Sequence, residues 1–144
     1  MDRTFTFDEA QMLLPVLRSL LERAMKGKQE LHDFEEEFAN FSSRIFLNGG
    51  TLVNVAAYAA RKHERDRVLQ RVKDTVAEID SIGVQVKDLD VGLLDFPCEV
   101  EGEIILLCWK LGEDRIAHWH GLEEGFKGRK PIDDRIIRAN RREQ

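Results

Sequence analysis

The chain is short of everything that would staple a small fold or carry it into a membrane. It has two cysteines, Cys98 and Cys108, in 144 residues. That is no disulfide framework, and both thiols are expected to be reduced and partly buried. No stretch approaches the roughly eighteen consecutive apolar residues of a membrane helix. The opening Met1-Asp2-Arg3-Thr4-Phe5 lacks the basic segment and apolar run of a secretory signal. A cytoplasmic location without a membrane partner is the resulting expectation. Positive charge is not in excess either: the formal net charge is −5. That balance argues against a general nucleic-acid surface. Neither GxxxxGK[ST] nor GxGxxG occurs, so no glycine-rich phosphate loop is present.

What the chain does have is charge and helical period. Charged residues make up 34% of it, above the usual quarter, which suits long solvated helices. Thr6-Phe7-Asp8-Glu9 has the form of a capping box, and a helix should start there. Leu13, Leu17, Leu20, Ala24, Leu31, Phe34, Phe38, Phe41 and Ile45 then fall at alternating spacings of three and four, a heptad seam in which Gly27 takes the one position that is not apolar. Pro15 should kink this helix or mark its true first turn.

Asn48-Gly49-Gly50 breaks the pattern and suits a tight helix-to-helix turn, with Thr51 as the next cap. A second helix carries Leu52, Val55, Ala59, Leu69, Val72, Val76 and Ile79 and should stop at Gly83. A short turn makes the two helices antiparallel, so residues whose numbers sum to about 98 should lie level. The acidic block Glu30–Glu37 then faces the basic block Arg61–Lys73. Two such helices cannot bury their seams alone, and a homodimer through the hairpin is the expected remedy.

After Gly83 the period changes. Short extended pieces are expected at Val84–Leu89 and at Gly92–Pro97, the second ended by its proline. Glu103–Leu111 is the clearest strand; both of its faces are apolar, as for a central strand. With a four-residue turn at Gly112–Arg115, Ile116–His120 returns as its partner, Trp109 facing His118, Cys108 facing Trp119 and Leu107 facing His120. His118 and His120 would share one face and Trp119 the other. The fold class expected is α+β, a long antiparallel helical hairpin over 6–82, then a small, mostly antiparallel sheet over 83–131 and a tail over 132–144, all one domain.

The concentrated chemistry lies in the last third. Cys108 beside Trp109 on a central strand reads as core. His118, His120 and Glu123 offer two imidazoles and a carboxylate, a donor set for a divalent metal. His32 and Glu36, level with His63 and Asp66 on the facing helix, read either as a second metal candidate or as a polar break that fixes register. The Gly125–Arg129 loop could hold an anion with backbone N–H groups and Arg129.

Val84-Gln85-Val86-Lys87-Asp88, Gly92-Leu93-Leu94-Asp95-Phe96-Pro97, Leu107-Cys108-Trp109, Leu111-Gly112-Glu113, Trp119-His120 and Gly125-Phe126-Lys127-Gly128-Arg129 resemble the bacterial and archaeal domain family of unknown function DUF2203, whose members also open with a long helical stretch. The resemblance implies no activity. It implies that the fold returns to Asp88, Asp95, Cys108, Trp109, Glu113, Trp119, His120, Glu123, Gly125, Phe126, Gly128 and Arg129. His118 and Gly121 depart from that pattern.

Two classes of function follow as expectations. One is a ligand-binding or protein-interaction module, a homodimer through its hairpin, with a small anionic ligand held by Trp109, Trp119, His120, Glu123, Phe126 and Arg129. The other is a metal-assisted hydrolase, with His120 and Glu123 as ligands or as acid and base, and with Asp88, Asp95 and Glu113 in support. The first is preferred, because no complete catalytic set is visible.

Overall fold

The computed structural model of the protein describes residues 3–47 and 55–139. Helix α1 (Phe7–Leu47) begins at the expected capping box. Glu9 N–H donates to Thr6 Oγ1 at 3.1 Å, and Thr6 N–H donates to Glu9 Oε1 at 2.8 Å. Pro15 lies inside the helix, on its exposed side. Helix α2 (Val55–Ile82) stops where Gly83 takes φ +106°, with Gly83 N–H on Asp80 O at 2.9 Å. The expected Asn48-Gly49-Gly50 turn, the Thr51 cap and Leu52 lie outside the described residues.

The two helices are antiparallel in the register expected from their charges. Arg61 forks onto Glu37 through Nε (3.0 Å) and Nη2 (2.7 Å). Phe38 and Phe41 meet Tyr58 at ring separations of 5.5 and 4.8 Å. Gly27 lies under Val72, and a Cβ added there would overlap Val72 Cγ2. That close approach accounts for the one seam position without an apolar side chain. On α2 the buried residue in mid-helix is Val68 rather than Leu69.

Five antiparallel strands follow in the order β1 (Gln85–Asp88), β2 (Leu93–Val100), β3 (Glu103–Lys110), β4 (His118–His120) and β5 (Lys130–Pro131). The fold is therefore α+β, as expected. Strand β2 does not end at Pro97 but runs through it. Beyond Asp95 the short β1 no longer accompanies β2, and Pro97 O accepts Phe5 N–H at 2.7 Å on that open side. In an antiparallel strand a residue's N and O point the same way, so the N–H that proline lacks is not one that β3 needs. Glu101 (φ +53°) and Gly102 (φ +82°) then make the two-residue turn into β3.

The β3–β4 register differs from the expected one by one residue: Cys108 pairs with His118, Leu107 with Trp119 and Leu106 with His120. The connection is longer than four residues because Glu113 folds it back. Glu113 N–H donates to Lys110 O (3.0 Å), its Oε1 accepts Lys110 N–H (2.7 Å), and its carbonyl accepts Trp109 Nε1–H (3.0 Å). Ile116, fully buried, then gives its N–H to Gln11 Oε1 of α1 at 2.6 Å.

One sheet face packs on the helices. Leu94, Phe96, Cys98, Val100, Leu107 and Trp109 meet Leu14, Leu17 and Leu21 of α1 and Ile79 of α2. Leu14 and Leu21 lie beside the heptad seam, a second stripe on the first turns of α1 that exists to cover the sheet. Helix α3 (Asp134–Arg138), capped by Asp133, adds Ile136 to this core. Among the described residues no helix is long and apolar enough to cross a membrane.

Candidate functional site

Strand alternation puts Asp95, Cys108, His118 and His120 on the sheet face turned away from the helices. Asp95, Cys108 and His120 are buried there. His120 Nδ1 is 2.8 Å from Gly121 O, and its Nε2 is 3.0 and 3.1 Å from the two oxygens of Asp95. A carbonyl can only accept, so Nδ1 carries a hydrogen. Nε2 then faces a carboxylate, and two acceptors hold this separation only with a positive centre between them. A single hydrogen shared between them makes this a hydrogen bond.

The Cys108 thiol completes the cluster; its sulfur, one oxygen of Asp95 and one ring nitrogen of His120 all lie within 4.8 Å of one another. Burial pushes this thiol up to about 12, and the neighbouring Asp95, which accepts its S–H, adds to the effect while Arg129 opposes it. A cysteine nucleophile needs the opposite shift. The Cys98 thiol, on the helix side, is pushed up to about 11 by burial and by Glu9 and Glu99.

Arg129 runs along the same face. Its Nη2 donates to both oxygens of Glu113 (2.8 and 2.9 Å) and to Cys108 O (3.3 Å), and its guanidinium lies 4.6 Å from the Phe126 ring centre. The guanidinium is thus already neutralised by Glu113, while its Nε is buried without a hydrogen-bond partner. His118 Nδ1 is buried in the same condition, 3.8 Å from Glu113 Oε2.

The remaining expected site residues go elsewhere. Trp109 is fully buried on the helix face, with Arg18 5.6 Å from its ring centre. Asp88 closes the β1–β2 turn, its Oδ1 accepting Asp90 N–H at 2.9 Å and Val91 N–H at 3.3 Å. Glu123 is exposed and lines a shallow cleft of about 600 Å³ with Trp119, Leu122, Lys130 and Arg135. Glu124 accepts Gly121 N–H at 2.8 Å and Lys130 Nζ at 2.6 Å, and these bonds hold its carboxyl below the ordinary glutamate value. On the helices, His32 pairs with Glu36 (3.1 Å) while Asp66 turns to Arg65 (2.9 Å).

The structure therefore joins His120 to Asp95, and Arg129 to Glu113 and Phe126. It places Asp88 and Glu123 apart from both groups, and Trp109 on the helix face, tied to Glu113 only through that residue's carbonyl. Cys108, expected as core and buried as expected, is the third member of the cluster. The sequence signal for that neighbourhood is Asp95, a carboxylate set between Leu94 and Phe96, since a buried acid needs a partner on the next strand.

These features define an α+β protein in which a helical hairpin covers one face of a five-stranded meander and a buried Asp–Cys–His cluster occupies the other. A family model described as an uncharacterised conserved protein, DUF2203, matches residues 3–132, and the chain belongs to that family. No curated protein and no solved structure matches it.

Proposed function

We propose that the protein is an interaction module that dimerises through its helical hairpin and offers its sheet end to a small anionic ligand. One observation carries this reading: the hairpin outgrows its own core. Helix α1 has 41 residues, hence a length of about 60 Å, yet beyond Ala24 the only buried hydrophobic among its described side chains is Phe34. Phe38, Phe41 and Tyr58 are incompletely buried, and Val55 is 72% exposed. A groove of about 810 Å³ opens between the helices, floored by Phe34 and Val68 and rimmed by Glu30, Glu37, Arg61 and Arg71.

A second copy related by a twofold axis supplies what this arm lacks. Its apolar stripe fills the groove, and acidic α1 and basic α2 make the surface self-complementary in charge. Light scattering at micromolar concentration should then give about twice the 16.7 kDa chain mass. A monomer mass would end this part of the reading.

The ligand side of the proposal rests on the cleft at Trp119. Lys130 Nζ lies 4.6 Å and the Arg135 guanidinium 5.7 Å from that ring centre; Lys130 pairs with Glu124 (2.6 Å) and Arg135 with Glu101 (3.6 Å), so an anion would displace those carboxylates to meet positive charge beside an aromatic wall. Titration with inorganic phosphate should quench Trp119 fluorescence, and it should not do so in Lys130→Ala/Arg135→Ala. Quenching that survives in that variant would count against the cleft.

A further inference from the structure

We propose that Asp95, Cys108 and His120 form a buried site for one divalent transition-metal ion of the zinc class. This stands apart from the hairpin reading and from the His118–His120–Glu123 donor set expected at the outset.

The first argument is donor geometry. Three different strands each give one donor: Asp95 from β2, Cys108 from β3 and His120 from β4. The three donor atoms lie within 4.8 Å of one another, close enough to converge on a single ion. Carboxylate, thiolate and imidazole together suit zinc and its neighbours rather than calcium or magnesium, which take oxygen.

The second argument is the orientation of the imidazole. Nδ1–H is held on Gly121 O at 2.8 Å, which fixes the ring and aims Nε2 at Asp95. An outer carbonyl on the far nitrogen is the usual support of a metal-bound histidine. Nε2 and the Asp95 oxygens, 3.0 and 3.1 Å apart, share one hydrogen whose place an ion could take.

The third argument is charge. Thiolate, carboxylate and neutral imidazole together carry −2, which one divalent ion balances in a buried, low-dielectric site. Three protein donors leave one coordination position of a tetrahedral ion for a small ligand.

Glu123 cannot join this set without leaving the surface, since it is exposed at the cleft. His118 shares the face but lies outside the group of mutually close donors.

The test is cobalt(II) added to the full-length, chelator-treated protein. One ion per chain should bind at micromolar concentration, with a thiolate-to-cobalt charge-transfer band. Cys108→Ser should abolish the band while retaining the far-ultraviolet circular dichroism of the fold. Asp95→Asn, which keeps a polar group beside His120, should weaken binding at least about tenfold. Glu123→Gln should leave band and stoichiometry unchanged. If Cys108→Ser does not fold, the native protein's stoichiometry and band still decide. Absence of cobalt and zinc binding by the folded native chain would overturn the site and leave a proton-bridged His–Asp pair. So would a band that survives Cys108→Ser, or binding lost in Glu123→Gln.

Discussion

His120 and Asp95, 25 positions apart in sequence and on strands separated by β3, share a contact of 3.0 Å in which both side chains are almost wholly buried. Each is the other's charged partner in the buried layer, beside Gly121 O on His120 and the Cys108 thiol on Asp95. Removing one partner leaves the second charged and desolvated, which costs about 3–5 kcal/mol. Asp95→Ala and His120→Ala should each lose about that much in urea unfolding. The double variant should lose clearly less than the sum, with a coupling of about 0.5–3 kcal/mol. Additive losses would show that the two side chains are buried independently.

The two thiols offer a second check. Burial holds Cys98 at about 11 and Cys108 at about 12, so neither is a thiolate near neutrality without metal. Iodoacetamide at pH 8 should modify neither in the folded chain and both in denaturant. Rapid native modification of Cys108 would contradict its place on the inner strand.

Across the hairpin, the hydrogen bond from Arg61 holds the Glu37 carboxyl below its ordinary value of 4.5. A depressed carboxylate stabilises the fold above that ordinary value and loses its contribution as pH falls through the lowered one. Carboxyl NMR should show Glu37 titrating below 4.5, and Arg61→Gln should return it towards that value. The pair is exposed, so salt should weaken it. An unchanged Glu37 titration in Arg61→Gln would remove this pair from the forces that set the register.

Gly27→Ala is a test of close approach. In an exposed helix interior the change would stabilise by about 1 kcal/mol. Here the new Cβ overlaps Val72 Cγ2, and a β-branched side chain in a helix has little room to turn. Overpacking of this kind costs about 1–3 kcal/mol, so Gly27→Ala should destabilise. Val72→Ala in the same chain should recover part of the loss in thermal melts.

The cap can be tested alone. Thr6 and Glu9 exchange two hydrogen bonds at the start of α1. Thr6→Ala should cost about 1 kcal/mol in urea unfolding, with the slope unchanged.

Much of the fold was legible because its signals are local. The Thr6–Glu9 cap, the Gly83 stop and the acidic and basic blocks each act within a few residues or between two helices joined by one turn. The heptad seam specified a hairpin because period alone decides which side of a helix is apolar. It was silent about Leu14 and Leu21, which face a sheet that forms only when distant strands meet.

Strand pairing was the point where local reading ended. The length of the β3–β4 connection depends on Glu113 reaching back to Lys110 and on Gln11 of a distant helix accepting Ile116 N–H. A shift of one residue changed which side chains share a face, and with it the membership of the site. The composition of the candidate site could be listed from the sequence, since Asp95, Cys108, His120, Glu113 and Arg129 all stand in its motifs. Which of them touch was decided by the tertiary structure. Burial forces an acid, a thiol and an imidazole from three strands onto common partners, and no spacing along the chain encodes that contact.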